Sequence, residues 1–317
     1  MTKNLNDVLS RLSLGSPQAF DDLTVIPFEE TGPNRSSSPL ILLDQALSQG
    51  EARISEVSEA GVVSRIRVEN LAKHPLLILD GEELVGAKQN RVVNLSILVA
   101  AKSTLDVPVS CVEAGRWAHR SRHFGTSGHM QFHSGRVRKA ESVGTNMKFT
   151  GSRQSNQGQV WDDVDAVLDA LQVPSPSRSM NDSYATLSGD LDVYANAFSL
   201  PGSSVGAVVL HNNRVLGLEL LSDPTLFAAV WPKILKSYAV EAIVAKRGPT
   251  LARSNDSDPA FDLARVQTFM SAVANCSIDS HRAIGLGEDI RLSCEIVVGA
   301  ALQFREEFVH LCAFSRI

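Results

Sequence analysis

The chain has 317 residues, a formal charge of −5, 44% hydrophobic and 21% charged side chains. That is the make-up of an ordinary globular protein with room for one large domain or two. The acidic balance excludes a general coat for nucleic acid or membrane, because such binders carry a basic excess, so any anion binding must be local. No run reaches the roughly 18 apolar residues of a spanning helix, and MTKNLNDVLSRL lacks the apolar core of a signal peptide, so a cytoplasmic protein is expected.

Residues 3–12 place Leu5, Val8, Leu9 and Leu12 at helical spacing. From Leu23 to Glu113 the texture changes to short apolar runs broken by turn dipeptides: TVIPF, ARISEV, VVSRIRV, PLLILD, EELVGA, RVVNLSILV and DVPVSCVE. Strands at this spacing predict an antiparallel β-sandwich or open barrel. Asp80-Gly81 reads as the two-residue turn of a hairpin, since a type I′ turn needs φ > 0 at both central positions. Residues 118–160 are rich in Gly, Ser, His and Arg and predict a polar basic loop.

Helical patterns follow, first Trp161, Val164, Leu168 and Leu171, then, after the break VPSPSRS, Tyr184, Leu187, Leu191, Tyr194 and Phe198. SSVGAVVLHNNRVLGLELL predicts a second hairpin turning at Asn212-Asn213, similar in form to LLILDGEELVGA. Asp223-Pro224 starts a long helix that turns Phe227, Val230, Trp231, Ile234, Tyr238 and Ala242 inward and bends or restarts at Pro232. Asp258-Pro259 repeats the start signal, and strands close the chain. The fold class is α+β: a β-rich half over 1–117, the loop 118–160, and a helix-and-sheet half over 161–317 that could also be continuous with the first.

The stretch DGEELVGAKQNRVVN, Asp80 to Asn94, concentrates polar chemistry. Read as a strand, it puts Lys88, Asn90, Val92, Asn94 and Ser96 on one face and Gln89, Arg91, Val93, Leu95 and Ile97 on the other. The second face becomes apolar as it proceeds, which takes Gln89 and Arg91 to a core margin, with Glu82, Glu83 and Glu113 as candidate partners. A structural polar network and an anion or heterocycle pocket both fit. Glu113, Arg116 and Trp117 form a second polar group able to support proton transfer, a salt bridge or ring stacking. Cys111, among valines, reads as an inert thiol.

Between Ala114 and Ala140 stand Arg116, Arg120, Arg122, Arg136, Arg138 and Lys139 without an acid, so the loop carries +6 and the rest −11. A phosphate clamp or a solvated loop would look alike here. His119, His123, His129 and His133 show no H-E-x-x-H, and the four cysteines have no C-x-x-C pair, so no metal site is assigned and no cofactor is named. G-x-S-x-G, P-loop and kinase signatures are absent from the sequence.

The run from DGEELVGAKQNRVVN through VPVSCVEAGRW resembles the bacterial ADP-ribosylglycohydrolase-and-rhodanese-phosphatase-associated protein domain family, and VGAVVLHNNRVLGLELL with LKSYAVEA is similar to its second half. The family motif falls on Glu82, Glu83, Gly86, Lys88, Gln89, Asn90, Arg91, Asn94, Ser110, Cys111, Glu113, Gly115, Arg116 and Trp117, then on Gly206, Gly217, Ser237 and Tyr238. The resemblance implies a protein acting near ADP-ribose or NAD-derived nucleotides. On that reading Lys88, Arg91 and Arg116 hold phosphate, Gln89, Asn90 and Asn94 bond ribose or base, and Trp117 stacks. Glu82, Glu83 or Glu113 is then the general base. The alternative is a non-catalytic interaction module whose polar motif is internal scaffolding. Its geometry would differ: a site converges on an open concavity, and a scaffold satisfies itself under a closed surface.

Overall fold

The computed structural model describes residues 5–31, 39–247 and 261–316. In chain order the elements are α1 (Leu5–Leu9), β1 (Leu12–Leu14), β2 (Gln18–Phe20), β3 (Leu23–Glu30), β4 (Ile41–Leu42), α2 (Leu43–Ser48), β5 (Ala52–Glu56), β6 (Arg65–Asn70) and β7 (Leu76–Ile78). Then come β8 (Glu82–Gly86), β9 (Arg91–Val93), β10 (Ile97–Val99), β11 (Ser103–Cys111), β12 (Phe124–Met130), α3 (His133–Thr150), α4 (Gln157–Ala170), α5 (Met180–Thr186) and α6 (Ser188–Ala197). The chain continues with β13 (Ser204–His211), β14 (Arg214–Leu221), α7 (Pro224–Arg247), α8 (Leu263–Ala274), β15 (Ser277–Arg282), β16 (Glu288–Ser293), β17 (Val297–Phe304) and β18 (Glu307–Ser315). This is the α+β class read from the sequence.

Two compact units share the chain discontinuously. Unit 1 takes Met1–Ser37, Gly189–His281 and Asp289–Ile317; unit 2 takes Ser38–Ser188 and Arg282–Glu288.

In unit 2 the strands close into a barrel of order β11-β6-β5-β12-β8-β9, beside a three-stranded sheet β10-β7-β4. Closure removes the sheet edges that an open barrel would leave unpaired. The pattern is plain in β6, where Ile66, Val68 and Asn70 are buried and alternate with the more open Arg65, Arg67 and Glu69. Ile54, Ile66, Val68, Leu84, Val93, Val107, Val109 and Phe124 belong to one apolar core.

Asp80-Gly81 does not turn a hairpin. Its flanking strands pair elsewhere, β7 with β10 and β4, and β8 with β9 and β12. The turn is closed by the Glu82 N–H donating to Leu79 carbonyl at 3.3 Å, with φ +87° at Gly81 alone of the two central residues. One positive φ at the third position is the requirement of a type II turn, and Gly meets it. The likeness to the Asn212-Asn213 segment is therefore one of sequence only.

The expected loop 118–160 carries β12 and the 18-residue helix α3. Val137, Ala140, Val143 and Met147 give α3 a narrow buried stripe that its polar majority masks. Its basic residues are not gathered into a clamp. Lys139 Nζ is buried 2.6 Å from Asp80 Oδ1, Arg138 pairs with Asp163 at 2.6 Å, and Arg116 with Glu113 at 2.7 Å.

Unit 1 is built on a nine-stranded sheet of order β1-β3-β13-β14-β18-β17-β16-β15, with β2 on β3. The β13–β14 hairpin turns at Asn212 and Asn213, with φ 47° and 58°, the two positive values that a type I′ turn needs. One sheet face joins α1 and α8 in a core that includes Leu5, Leu218, Leu220, Phe269, Leu311 and Ala313. Helix α7 packs on β13 and β14. Asp223 Oδ1 accepts from the Thr225 and Leu226 N–H groups at 2.8 and 3.2 Å, the expected cap. The helix runs on through Pro232 without restarting. Phe227, Val230, Trp231, Ile234, Tyr238 and Ala242 are all buried along it, and that packing outweighs one lost backbone bond. Asp258-Pro259 lies outside the described residues; α8 is capped by Asp262, which accepts from the Ala264 N–H at 2.9 Å.

Candidate functional site

Strand alternation divides the motif residues into two groups. Register pairs Leu84 with Arg91 and Arg91 with Cys111, while Glu83 faces Val92 and Val92 faces Ser110. Leu84, Val93 and Val109 lie in the barrel core, so Arg91 and Cys111 share the interior side of the wall and Glu83 and Ser110 the outer side. The candidate acid Glu83 and the candidate phosphate ligand Arg91 therefore project from opposite faces.

At the interior end Arg91 is fully buried. Its Nη1 donates to Gln89 Oε1 at 2.7 Å and to Cys111 Sγ, and the Gln89 amide donates to Glu113 carbonyl at 2.8 Å. Its Nε and Nη2 find no hydrogen-bond partner among the described residues. Burial lowers the Arg91 pKa, and Cys111 and Glu56 oppose that shift. Glu56, which sequence reasoning missed, stands two residues beyond core Ile54 on the same strand face. The Arg91 guanidinium lies 5.5 Å from the Trp117 ring centroid and the Lys88 ammonium 5.4 Å from it. Trp117 is 47% exposed. Lys88 Nζ is engaged by Glu59 and Ala60 carbonyls at 2.6 and 2.7 Å. Burial pushes the Cys111 thiol up to about 11, which suits the inert reading.

The corner after β11 is closed. Glu113 Oε2 accepts from Arg116 at 2.7 Å and from the Asn90 N–H at 3.1 Å, and Oε1 accepts from Ser177 at 2.8 Å. Burial pushes the Glu113 carboxyl up, but the Arg116, Ser177 and Asn90 bonds outweigh it and hold the pKa below its ordinary value. Arg116 also donates to the Ala87, Ala118 and Gly86 carbonyls and to Asn90 Oδ1. Asn94 is likewise consumed: its Oδ1 accepts from Ser110 at 2.7 Å and its Nδ2 donates to Arg153 carbonyl at 3.1 Å. Glu82 Oε2 accepts from the Leu79 N–H at 2.9 Å and belongs to the turn. Ser177 and Ser179, the latter accepting from Asn90 Nδ2 at 3.3 Å, come from the VPSPSRS break, and only their hydroxyls in a strand-poor segment could have hinted at this.

Glu83 is the exception on the outer face. Burial pushes its carboxyl up to about 8, with the Ser127 hydroxyl opposing and Glu113 and Asp182 adding to the shift. Such a carboxyl is protonated near neutral pH and can donate a proton, the environment of a general acid.

Of the four histidines, His129 stacks on Tyr184 with centroids 4.2 Å apart and His133 is buried at the start of α3. Among the described residues, the group of His, Cys and carboxylate side chains close enough to share an ion lies in unit 1. No described helix is long and apolar enough to cross a membrane.

No curated protein and no solved structure matches the chain. The model of the ARG and Rhodanese-Phosphatase-superfamily-associated Protein domain, ARPP-1, matches residues 11–314, and the chain belongs to that family.

Proposed function

We propose that this protein, in a cytoplasmic setting, binds an ADP-ribose- or NAD-derived nucleotide at the Arg91 end of the barrel. The observation that carries the reading is the buried Arg91 guanidinium with Nε and Nη2 unpartnered. Those two nitrogens form one edge of the planar fork, the edge that grips two oxygens of one phosphate. Trp117 lies over the guanidinium, so movement of that exposed ring opens the path and offers an aromatic face to a base. The family name, which associates the domain with ADP-ribosylglycohydrolase, supports the ligand class. Gln89 orients Arg91, and Lys88 adds positive charge beside the ring. Glu113, Arg116, Asn90, Asn94 and Glu82 hold the frame. Glu83 projects from the opposite face of the wall and takes no part in holding or protonating a ligand at Arg91.

The test is a thermal shift with ADP-ribose, NAD and ADP. The wild type is stabilised by at least one of them, and Arg91→Ala and Trp117→Ala lose that shift. Absence of a shift for the wild type at millimolar ligand overturns the reading. Where binding is found, product formation from the bound nucleotide, lost in Arg91→Ala, makes the protein an enzyme.

A second reading, a non-catalytic scaffold, is favoured by the Glu113–Arg116 corner, whose groups satisfy one another under cover. It predicts that Arg91→Met, which fills the same volume without a charge, is neutral or stabilising and alters no ligand response.

A further inference from the structure

Strands β14 and β18 pair with Glu219 opposite Cys312 and Leu221 opposite His310. Leu218, Leu220, Leu311 and Ala313 point into the core shared with α1 and α8. Alternation then sends Glu219, His310 and Cys312 to the other sheet face, under α7, where the Tyr238 hydroxyl donates to Glu219 Oε1 at 3.0 Å. All three are essentially without solvent exposure, and their flanking register neighbours on that face, Ala207, Leu221, Ala300 and Leu302, are apolar.

We propose that Glu219, His310 and Cys312 hold a divalent transition-metal ion of the zinc class. One oxygen, one nitrogen and one sulfur are offered within 4.8 Å of one another. Metal–ligand bonds of about 2.0–2.3 Å place tetrahedral ligand atoms roughly 3.3–3.7 Å apart. His310 Nε2 and Glu219 Oε2 already stand at 3.4 Å. Rotation of the Cys312 side chain, whose Sγ lies within 4.8 Å of a ligand atom on each of these residues and now donates to the Ala300 carbonyl at 3.7 Å, brings the sulfur into the same set.

The charges also favour an ion. A dication with one carboxylate, one thiolate and a neutral imidazole sums to zero, so the loaded set adds no net charge to the buried group. The mixed oxygen, nitrogen and sulfur donors suit zinc rather than magnesium or calcium. Binding converts the Cys312 thiol to a thiolate and releases its proton to solvent. Tyr238 then orients the Glu219 ligand from outside the coordination sphere. Three protein ligands leave the fourth tetrahedral position to a water molecule, and burial of the group keeps a substrate from it, so the ion serves to pin β14 to β18.

The probe is cobalt(II) added to the full-length, metal-stripped protein, followed by the thiolate-to-cobalt absorption in the near ultraviolet. Wild type shows the band at one equivalent and releases one proton from a thiol; zinc displaces the cobalt and raises Tm. Cys312→Ser loses the band. Tyr238→Phe keeps it with affinity weakened about tenfold. Cys276 and Cys294 lie 3.2 Å apart at Sγ, so the double variant Cys276→Ser, Cys294→Ser separates the two thiol groups. It keeps the band. No band in the wild type, or a band lost in that double variant and kept in Cys312→Ser, overturns the proposal. The Cys276→Ser, Cys294→Ser double variant decides the matter even if Cys312→Ser does not fold, because its band cannot come from that pair.

Discussion

The corner after β11 and the middle of β8 each bury a carboxyl completely, and they answer the same physical problem in opposite ways. Glu113 stays charged because Arg116, Ser177 and a backbone N–H give it three bonds. Glu83 avoids the charge, and its pKa rises to about 8. Neither is exposed to solvent, but Glu83 lies deeper and Glu113 has the stronger partners, and the two differences together decide which carboxyl is ionised. The difference also separates frame from candidate chemistry: a fully bonded carboxylate is a strut, while a protonated carboxyl near neutrality is available for proton transfer.

The largest effect is expected at the strut. Glu113→Gln leaves Arg116, only 10% exposed, without its counter-charge. Breaking a buried pair on one side costs about 3–5 kcal/mol, measurable as a lower denaturant midpoint. A loss below about 1 kcal/mol would place this pair with surface ion pairs and remove the distinction drawn here.

Glu83 gives an effect of comparable size that builds up only with pH, with a sign set by protons. Between pH 4.5 and about 8 the unfolded chain has lost the Glu83 proton and the folded chain keeps it. The folded state binds more protons there, so this group makes stability fall as pH rises, by about 1.4 kcal/mol per pH unit within the window. Glu113 acts in the other direction: its folded pKa is depressed, so its contribution is complete above the unfolded pKa and is lost as pH falls through the folded one. Unfolding across pH for wild type and Glu83→Gln checks this. The variant removes the decline between pH 4.5 and about 8 and keeps the loss at acid pH; identical slopes would show that Glu83 is not held protonated.

These partnerships explain what the sequence could and could not reveal. Asn212-Asn213 was legible because a type I′ turn is a local demand and both residues meet it. Asp80-Gly81 carries a similar signal, yet Asp80 is bound to Lys139, 59 residues on, and its strands enter different sheets. Barrel closure and the burial of the basic segment depend on such distant partners: Arg138 on Asp163, Lys139 on Asp80. The polar motif itself was legible as chemistry, but not its division, because only the β8–β9–β11 register shows that Glu83 and Arg91 face apart. His310-x-Cys312 was visible as alternate residues of one strand, and Glu219 joins them only through pairing across 91 residues.

A smaller effect tests the backbone beneath the motif. Gly81 adopts φ +87°, and a Cβ there would stand 3.3 Å from Arg136 Cδ. Gly81→Ala therefore costs about 1–2 kcal/mol through the left-handed conformation, and more if Arg136 cannot yield. Retention of the wild-type midpoint would mean that the turn can rearrange without disturbing Asp80 and Lys139.

The smallest effect lies on the barrel exterior, where Arg53 and Glu69 pair at 3.2 Å with side chains 55% and 38% exposed. This pair has the same chemistry as Glu113 and Arg116 and occupies adjacent strands in regular register, Arg53 opposite Glu69. Water already solvates both charges, so removing one strands nothing, and Arg53→Ala is expected to cost about 0.2–1 kcal/mol. Raising the salt concentration screens this pair and shrinks the difference between wild type and variant, whereas the Glu113→Gln penalty persists, because ions reach the exposed pair and not the covered one. Equal salt sensitivity of the two penalties would place the Glu113 corner in contact with solvent, and its role as a frame would fail with it.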